Sequence, residues 1–215
     1  MKTMRGEIER YWRDLAKGMR LMPFAALEAA AALLLDCHQR GATIFLIGNG
    51  GSAATASHFA CDLAKGVRAE GVAPFRVVAL TDNVPLMTAW GNDTSYERVF
   101  AEQLATLARP GDGLVAVSAS GNSPNILLAA HAAKAAGATT LALTGRTGGK
   151  LAPLADLAVR VPLDAIEQVE DAHVIIAHSL CVTLRAQLGI VEAAPRANGW
   201  RVEEVLAELV ADLDV

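Results

Sequence analysis

Aromatic side chains make up only 5% of this sequence, and cysteines number three. Cys37, Cys61 and Cys181 follow no CxxC or zinc-ribbon spacing, which argues against a metal knuckle or a disulfide framework. An odd and sparse cysteine count suits a reducing, cytoplasmic setting. Positive charge is not in excess either, since the net charge is −4. Neither nucleic acid nor an anionic membrane surface is therefore expected as a partner. Long hydrophobic runs are missing. The most apolar stretch, "MPFAALEAAAALLLDCHQRG" from Met22, is interrupted by Glu28 and closed by Asp36, too short to span a bilayer. It reads as a buried helix with a face available to a partner chain. The start of the chain, "MKTMRGEIERYWRDLAKG", is charged throughout and has no apolar signal core. Linkers, repeats and low-complexity segments are also absent.

What the sequence does have is core material: 53% hydrophobic and 20% charged residues in 215. That composition argues against disorder and fits one domain. Short, nearly continuous apolar runs recur: "TIFLIG" (43–48), "FRVVALT" (75–81), "GLVAVSAS" (113–120), "TTLALTG" (139–145) and "LAVRVP" (157–162). Such runs suit strands covered on both faces. Helical stretches separate them, at about 52–65, 96–108 and 123–136, and a long helix is expected over 166–188. Alternating β and α elements predict a parallel sheet with right-handed crossovers. After the Pro195–Asn198–Gly199 breaker a last helix is expected over about 201–213. The chain therefore reads as a single domain, 1–215. It has a helical N-terminal extension (1–40), a core (41–190) and a C-terminal helix (200–213).

Two strand ends are rich in small polar residues, and in open α/β sheets ligands sit beyond such ends. "SASGNSPNILL" places Ser118, Ser120 and Ser123 in one strand-to-helix turn. Unpaired amides at a helix start, serine hydroxyls and a close-approaching Gly121 make a phosphate cradle without lysine. The plainer alternative is a turn in which Ser123 only caps the helix. "GNGGS" (48–52) repeats the logic at the first strand. It matches neither the dinucleotide fingerprint nor the Walker loop.

These segments together, "GNGGSAATASHFACDL", "GND" at 91–93, "SASGNSPNI" and "LTGRTGGKLAPLADLAVRVP", resemble the SIS (sugar isomerase) domain family, and within it the phosphoheptose isomerase branch. The resemblance spans about residues 24–188. It implies a three-layer α/β/α fold with a five-stranded parallel sheet, flavodoxin- or Rossmann-like, carrying extra helices at both ends. It also implies a homotetramer with sites at subunit interfaces. The activity implied is isomerisation of sedoheptulose 7-phosphate to D-glycero-D-manno-heptose 7-phosphate. By position, Ser118, Ala119, Ser120 and Ser123 would hold the phosphate. Asn49, Gly50, Gly51, Ser52, Asn92 and Asp93 would line the sugar. The family's metal ligands fall on His58, Asp62, Glu170 and His178, implying one divalent metal, zinc, per site. Two positions depart from the family, which has Glu where Asp62 stands and Gln where Glu170 stands. The resulting set is harder and more anionic, a shift toward manganese or iron.

Read physically, His58 and Asp62 are four apart and share one helix face. Without the glycine loop before them they would be an ordinary surface pair. Glu170 and His178 are eight apart, on the order of 12 Å along a straight helix. One site can hardly take both from one chain. Either a second subunit supplies one of them, or His173 is the in-chain competitor, or His178 is a packed interface histidine. An aldose–ketose isomerase needs a base for a proton α to a carbonyl and an acid or metal for the enediolate oxygen. Asp62, Glu170 and His178 are the catalytic candidates. The competing readings are a non-catalytic phosphosugar-binding regulator, resembling the replication initiator-associating protein, and an isomerase of another phosphosugar.

Overall fold

The computed structural model describes residues 3–190. Five strands form one parallel sheet: β1 (Thr43–Ile47), β2 (Arg76–Ala79), β3 (Gly113–Ser118), β4 (Thr139–Thr144) and β5 (Leu157–Arg160), in spatial order β2-β1-β3-β4-β5. Every residue of β3 is buried, whereas edge strands β2 and β5 bury only part of theirs. That gradient is why β3 reads as unbroken apolar sequence, since a central parallel strand meets a helix layer on each face.

Helices cover both faces. On one side lie α1 (Met4–Met19), α2 (Phe24–Gln39), α3 (Gly51–Cys61) and α7 (Ile166–Gln187). They bury Leu34, Phe59, Ala172, Ile176 and Leu184 against the sheet. On the other side lie α4 (Val84–Asp93), α5 (Ala101–Leu107) and α6 (Pro124–Ala135), packed through Phe100, Leu104, Ile126 and Ala129. Phe59 is fully buried, and its truncation to alanine would cost about 3–5 kcal/mol. Helix α1 is tied down by three contacts. The Tyr11 hydroxyl donates to Asp171, Gln168 Nε2 donates to the Tyr11 carbonyl at 3.0 Å, and Gly18 lets the backbone come against Leu163. The Asp171 bond, reinforced by burial, pushes the Tyr11 phenol up to about 12.

Three local expectations change. The helix expected over 96–108 is a 3-10 turn (Tyr96–Arg98) followed by α5, because Val99 and Phe100 turn into the core between them. Helix α4 has no counterpart among the expected elements. Asn83 caps it by accepting from the Leu86 amide at 3.1 Å, and Pro85 sits in its first turn, but Gly91-Asn92-Asp93 reads locally as a loop. The helix expected over 52–65 is α3 to Cys61 and then a π turn, Asp62–Gly66, in which the Val67 amide reaches back five residues to the Asp62 carbonyl. The helix expected over 201–213 lies outside the described residues. Among the described residues no single helix is long and apolar enough to cross a membrane, and the α1–α2 pair is bent by 72°.

Candidate active site and metal cluster

The strand order reverses between β1 and β3, which are neighbours in the sheet. The chain leaves β1 for α3 on one face and leaves β3 for α6 on the other. The point where the chain turns to opposite faces is the usual ligand position in such sheets. Both small-polar loops of the sequence meet there.

The β1–α3 loop contains Gly48, Asn49 and Gly50. Gly48 admits no side chain because a Cβ would fall 2.3 Å from the Ser52 carbonyl oxygen. Gly50 caps α3 with φ of 54°, which leaves the first amides of that helix open. Ser52 is buried in the first turn. In the β3–α6 loop, Ser118 Oγ accepts from the Gly121 amide at 3.2 Å and Ser120 Oγ accepts from the Asn122 amide at 3.1 Å. Neither hydroxyl donates a hydrogen bond within the described residues. Ser123 stands at the N-cap of α6, yet its side chain makes no capping bond. The alternative in which Ser123 serves only as a cap therefore loses its support. Ala119 accepts from the Gly145 amide at 2.9 Å, fixing the loop to the end of β4.

The two loops are joined by a residue the sequence reading missed. Asn49 Nδ2 donates to Asn125 Oδ1 and Asn125 Nδ2 donates to Asn49 Oδ1, both at 2.8 Å. The Tyr96 hydroxyl also donates to Asn49 Oδ1 at 3.0 Å. Asn125 is 2% exposed, so its amide is committed to this pairing. The one sequence signal was a polar residue in the first turn of a helix whose other polar residues, His131 and Lys134, lie further along. Asn92 and Asp93 end α4 just before Tyr96, and Asn92 Nδ2 donates to Asp93 Oδ1 at 2.8 Å. Both are exposed, and neither is joined to the Asn49–Asn125–Tyr96 bonds.

Further along α3, three donors converge. His58 Nε2 lies 3.4 Å from Asp62 Oδ2, His178 Nε2 lies 3.6 Å from the same oxygen, and the two Nε2 atoms are 3.1 Å apart. Ligands about 2.0–2.1 Å from a tetrahedral zinc sit about 3.3 Å from one another, so these three atoms lie at the edge length of such a shell. Two imidazoles and a carboxylate are an ordinary donor set for zinc, and three protein ligands leave a coordination position open. The residues fit a divalent metal. His58 and His178 are about half exposed and Asp62 is 29% exposed, so the cluster is reachable from solvent.

Glu170 stands apart. Its carboxylate packs on Gly51, with Oε2 only 2.5 Å from where a Cβ would be, over the positive end of α3. It shares with His58 a cavity of about 260 Å³ that also touches Thr55 and Asp171. The four-ligand expectation is thus not met by one chain: among the described residues, three of the four donors meet. The physical reason is the two-turn rise between residues 170 and 178 on one straight helix. His178 takes the place beside His58 from within the same chain. His173 is no competitor, being fully buried with at most a weak contact to the Thr144 backbone, and burial pushes its pKa down to about 4. Cys181, one turn beyond His178, is pushed up to about 12 by burial and then by the Asp62 charge, so its thiol stays protonated.

The SIS domain family matches residues 10–145. A phosphoheptose isomerase from Rhodospirillum rubrum is 40% identical over 169 residues, covering 79% of this chain and 86% of that protein. One from Shewanella loihica is 40% identical over 73% of this chain and 80% of its own length. The solved phosphoheptose isomerase of Neisseria gonorrhoeae superposes with a TM-score of 0.80 at 32% identity, covering 86% of this chain and all of that one. That of Francisella tularensis also gives 0.80 at 32%, over 85% of this chain and 98% of that one.

Proposed function

Because the chain belongs to the SIS-domain family and, within it, to the phosphoheptose isomerases, aldose–ketose isomerases of sugar phosphates, we propose that its substrate is sedoheptulose 7-phosphate and that its chemistry runs at the His58–Asp62–His178 cluster. The observation that carries the site assignment is the 3.1–3.6 Å spacing of three donor atoms from two helices. A divalent metal held there, zinc by its donor preferences, would polarise the substrate's oxygens and stabilise negative charge as it develops.

The chain's own groups do the rest. Ser118, Ser120 and Ser123 surround the phosphate with hydroxyl donors, and the open start of α6 adds backbone amides. Binding energy at the phosphate, remote from the reacting carbons, holds the sugar in place for reaction. Asn49, Gly50, Gly51 and Ser52 would line the sugar from β1–α3, and the family's Asn-Asp pair, Asn92 and Asp93, would contact it from the exposed end of α4.

Asp62 has two oxygens with two jobs. Both short approaches to the histidines use Oδ2. Oδ1 is left to take the carbon-bound proton and return it to the neighbouring carbon. His178 faces the same carboxylate from α7, and Glu170 faces His58 across the small cavity. Glu170, outside the ligand triad, exchanges the hydroxyl protons as the carbonyl moves, while His178, with Nε2 turned to the triad, would hold the metal beside the reacting oxygens. A non-catalytic phosphosugar regulator would have no use for a converged ligand and proton-transfer set.

Three further parts of the reading belong here. The working form is a homotetramer, supported by the apolar stripe of Met4, Ile8 and Trp12 on α1, 88%, 60% and 65% exposed. Its location is the cytoplasm, in keeping with three free cysteines. Its partner is the phosphosugar alone. Incubation of purified protein with sedoheptulose 7-phosphate, with and without chelator, tests the proposal. An aldoheptose phosphate should appear and should fall away on chelation. No conversion by metal-replete protein would defeat the reading.

A further inference from the structure

Tyr96 begins the 3-10 turn between α4 and α5, and core packing does not account for it. Val99 and Phe100 are fully buried and hold the turn to the core, whereas Tyr96 is 58% exposed. Helix α4 before it has no buried residue, and its end carries Asn92 and Asp93. Among the described residues, the Tyr96 hydroxyl makes the one side-chain hydrogen bond from α4 and this turn to the β1–α3 loop, donating to Asn49 Oδ1 at 3.0 Å. An exposed phenol whose hydroxyl rests on a residue of the proposed sugar site has its use at that site.

We propose that Tyr96 is a positioning residue for the isomerisation and acts through Asn49, a role that rests on Asn49 lining the sugar. An amide oxygen has two lone pairs and an amide nitrogen two hydrogens. Asn49 Oδ1 accepts from Asn125 Nδ2 and from the Tyr96 hydroxyl, so both lone pairs are taken. Asn49 Nδ2 uses one hydrogen on Asn125 Oδ1. Its second hydrogen is the one polar group of this side chain left without a partner among the described residues, and it donates to a hydroxyl oxygen of the sugar. Asn125 alone cannot fix that outcome. A reciprocal amide pair is unchanged when both amides turn over, and after the turn Asn49 would present an oxygen in place of the N–H. A phenol, with its acidic O–H, donates better than it accepts, so the Tyr96 hydroxyl favours the state with Oδ1 before it. The same bond ties the turn just after Asn92 and Asp93 to the loop that carries Asn49.

Steady-state kinetics on sedoheptulose 7-phosphate test it, with the metal-replete full chain as wild type, Tyr96→Phe, Asn49→Ala and the double variant. Tyr96→Phe keeps the ring and removes only the hydroxyl. KM should rise about 3- to 10-fold, the size of one neutral hydrogen bond, with kcat within about 2-fold. In the Asn49→Ala background the same change should leave kcat/KM where it was, since Tyr96 acts through that amide. Competitive inhibition by inorganic phosphate should be equal in wild type and Tyr96→Phe, because the serine turn is not touched. Unchanged KM in Tyr96→Phe overturns the proposal, and so does a full additive loss on top of Asn49→Ala. Phosphate inhibition that weakens as much as KM rises overturns it too, since the serine turn would then be what moved. No conversion by wild type removes the isomerase reading and this role together, whereas an active wild type matched by Tyr96→Phe removes this role alone.

Discussion

Changing Asp62 to asparagine keeps the side chain's size and removes its charge. Asp62 Oδ2 makes both short approaches, 3.4 Å to His58 and 3.6 Å to His178. An asparagine can turn its single oxygen toward the histidines, and it then presents an amide where Oδ1 was. No proton acceptor remains at that position. The loss of one general acid–base group lowers turnover by about 10²- to 10⁴-fold, or about 2.7–5.4 kcal/mol of barrier. A neutral oxygen is also a weaker ligand than a carboxylate, so bound metal should fall at limiting metal and recover in excess. His58→Ala separates the two effects. It removes a ligand but leaves Asp62 Oδ1 untouched, so excess metal should return a good part of its turnover, while Asp62→Asn stays down at least 10²-fold. Elemental analysis and a coupled turnover assay on the same preparations decide it. Asp62→Asn turning over within a few-fold of wild type at saturating metal would refute the reasoning. So would metal-free wild type at full rate in chelator.

The geometry makes four other outcomes testable. Ser120→Ala/Ser123→Ala should weaken phosphosugar binding, each lost bond to a charged group costing about 1.5–3 kcal/mol, and unchanged affinity by calorimetry would dismiss the cradle. Asn125→Ala breaks both amide bonds to Asn49 and should lower stability by about 1–3 kcal/mol in urea while raising KM more than it lowers kcat. His173 is buried neutral with its pKa lowered from 6.5 to about 4, so the unfolded chain takes the proton first as pH falls. Stability from this group is intact above about pH 6.5 and declines toward pH 4, by about 2 kcal/mol between pH 7.5 and 5, and His173→Phe should remove that part of the slope in denaturation curves. Sedimentation should give four copies at micromolar protein, and a monomer mass would end the tetramer reading.

The sheet was legible because its signal is local. Five apolar runs each carried their own evidence of two-sided burial, and β3, buried at every position, was the plainest. The serine turn and the His58–Asp62 pair were legible for the same reason, being short in sequence. What escaped needed partners far away. Asn125 matters through Asn49, 76 residues earlier. Glu170 is placed by Gly51, which can receive its carboxylate only because it has no side chain. The π turn at Asp62 depends on one bond from Val67, and nothing in "DLAKGV" distinguishes it from an ordinary helix end.

The Asn49–Asn125 pairing joins the β1–α3 loop to the start of α6, beside the serine turn, and it does so with two uncharged amides. A carboxylate–guanidinium clasp in that place would loosen in salt and open in acid. This one has no proton to lose and no counter-ion to shed. The tie between the two loops is therefore indifferent to pH and to salt. On the proposed reading, the phosphate anchor and the cluster would keep their spacing across pH and salt, because the bonds between the two loops are neutral.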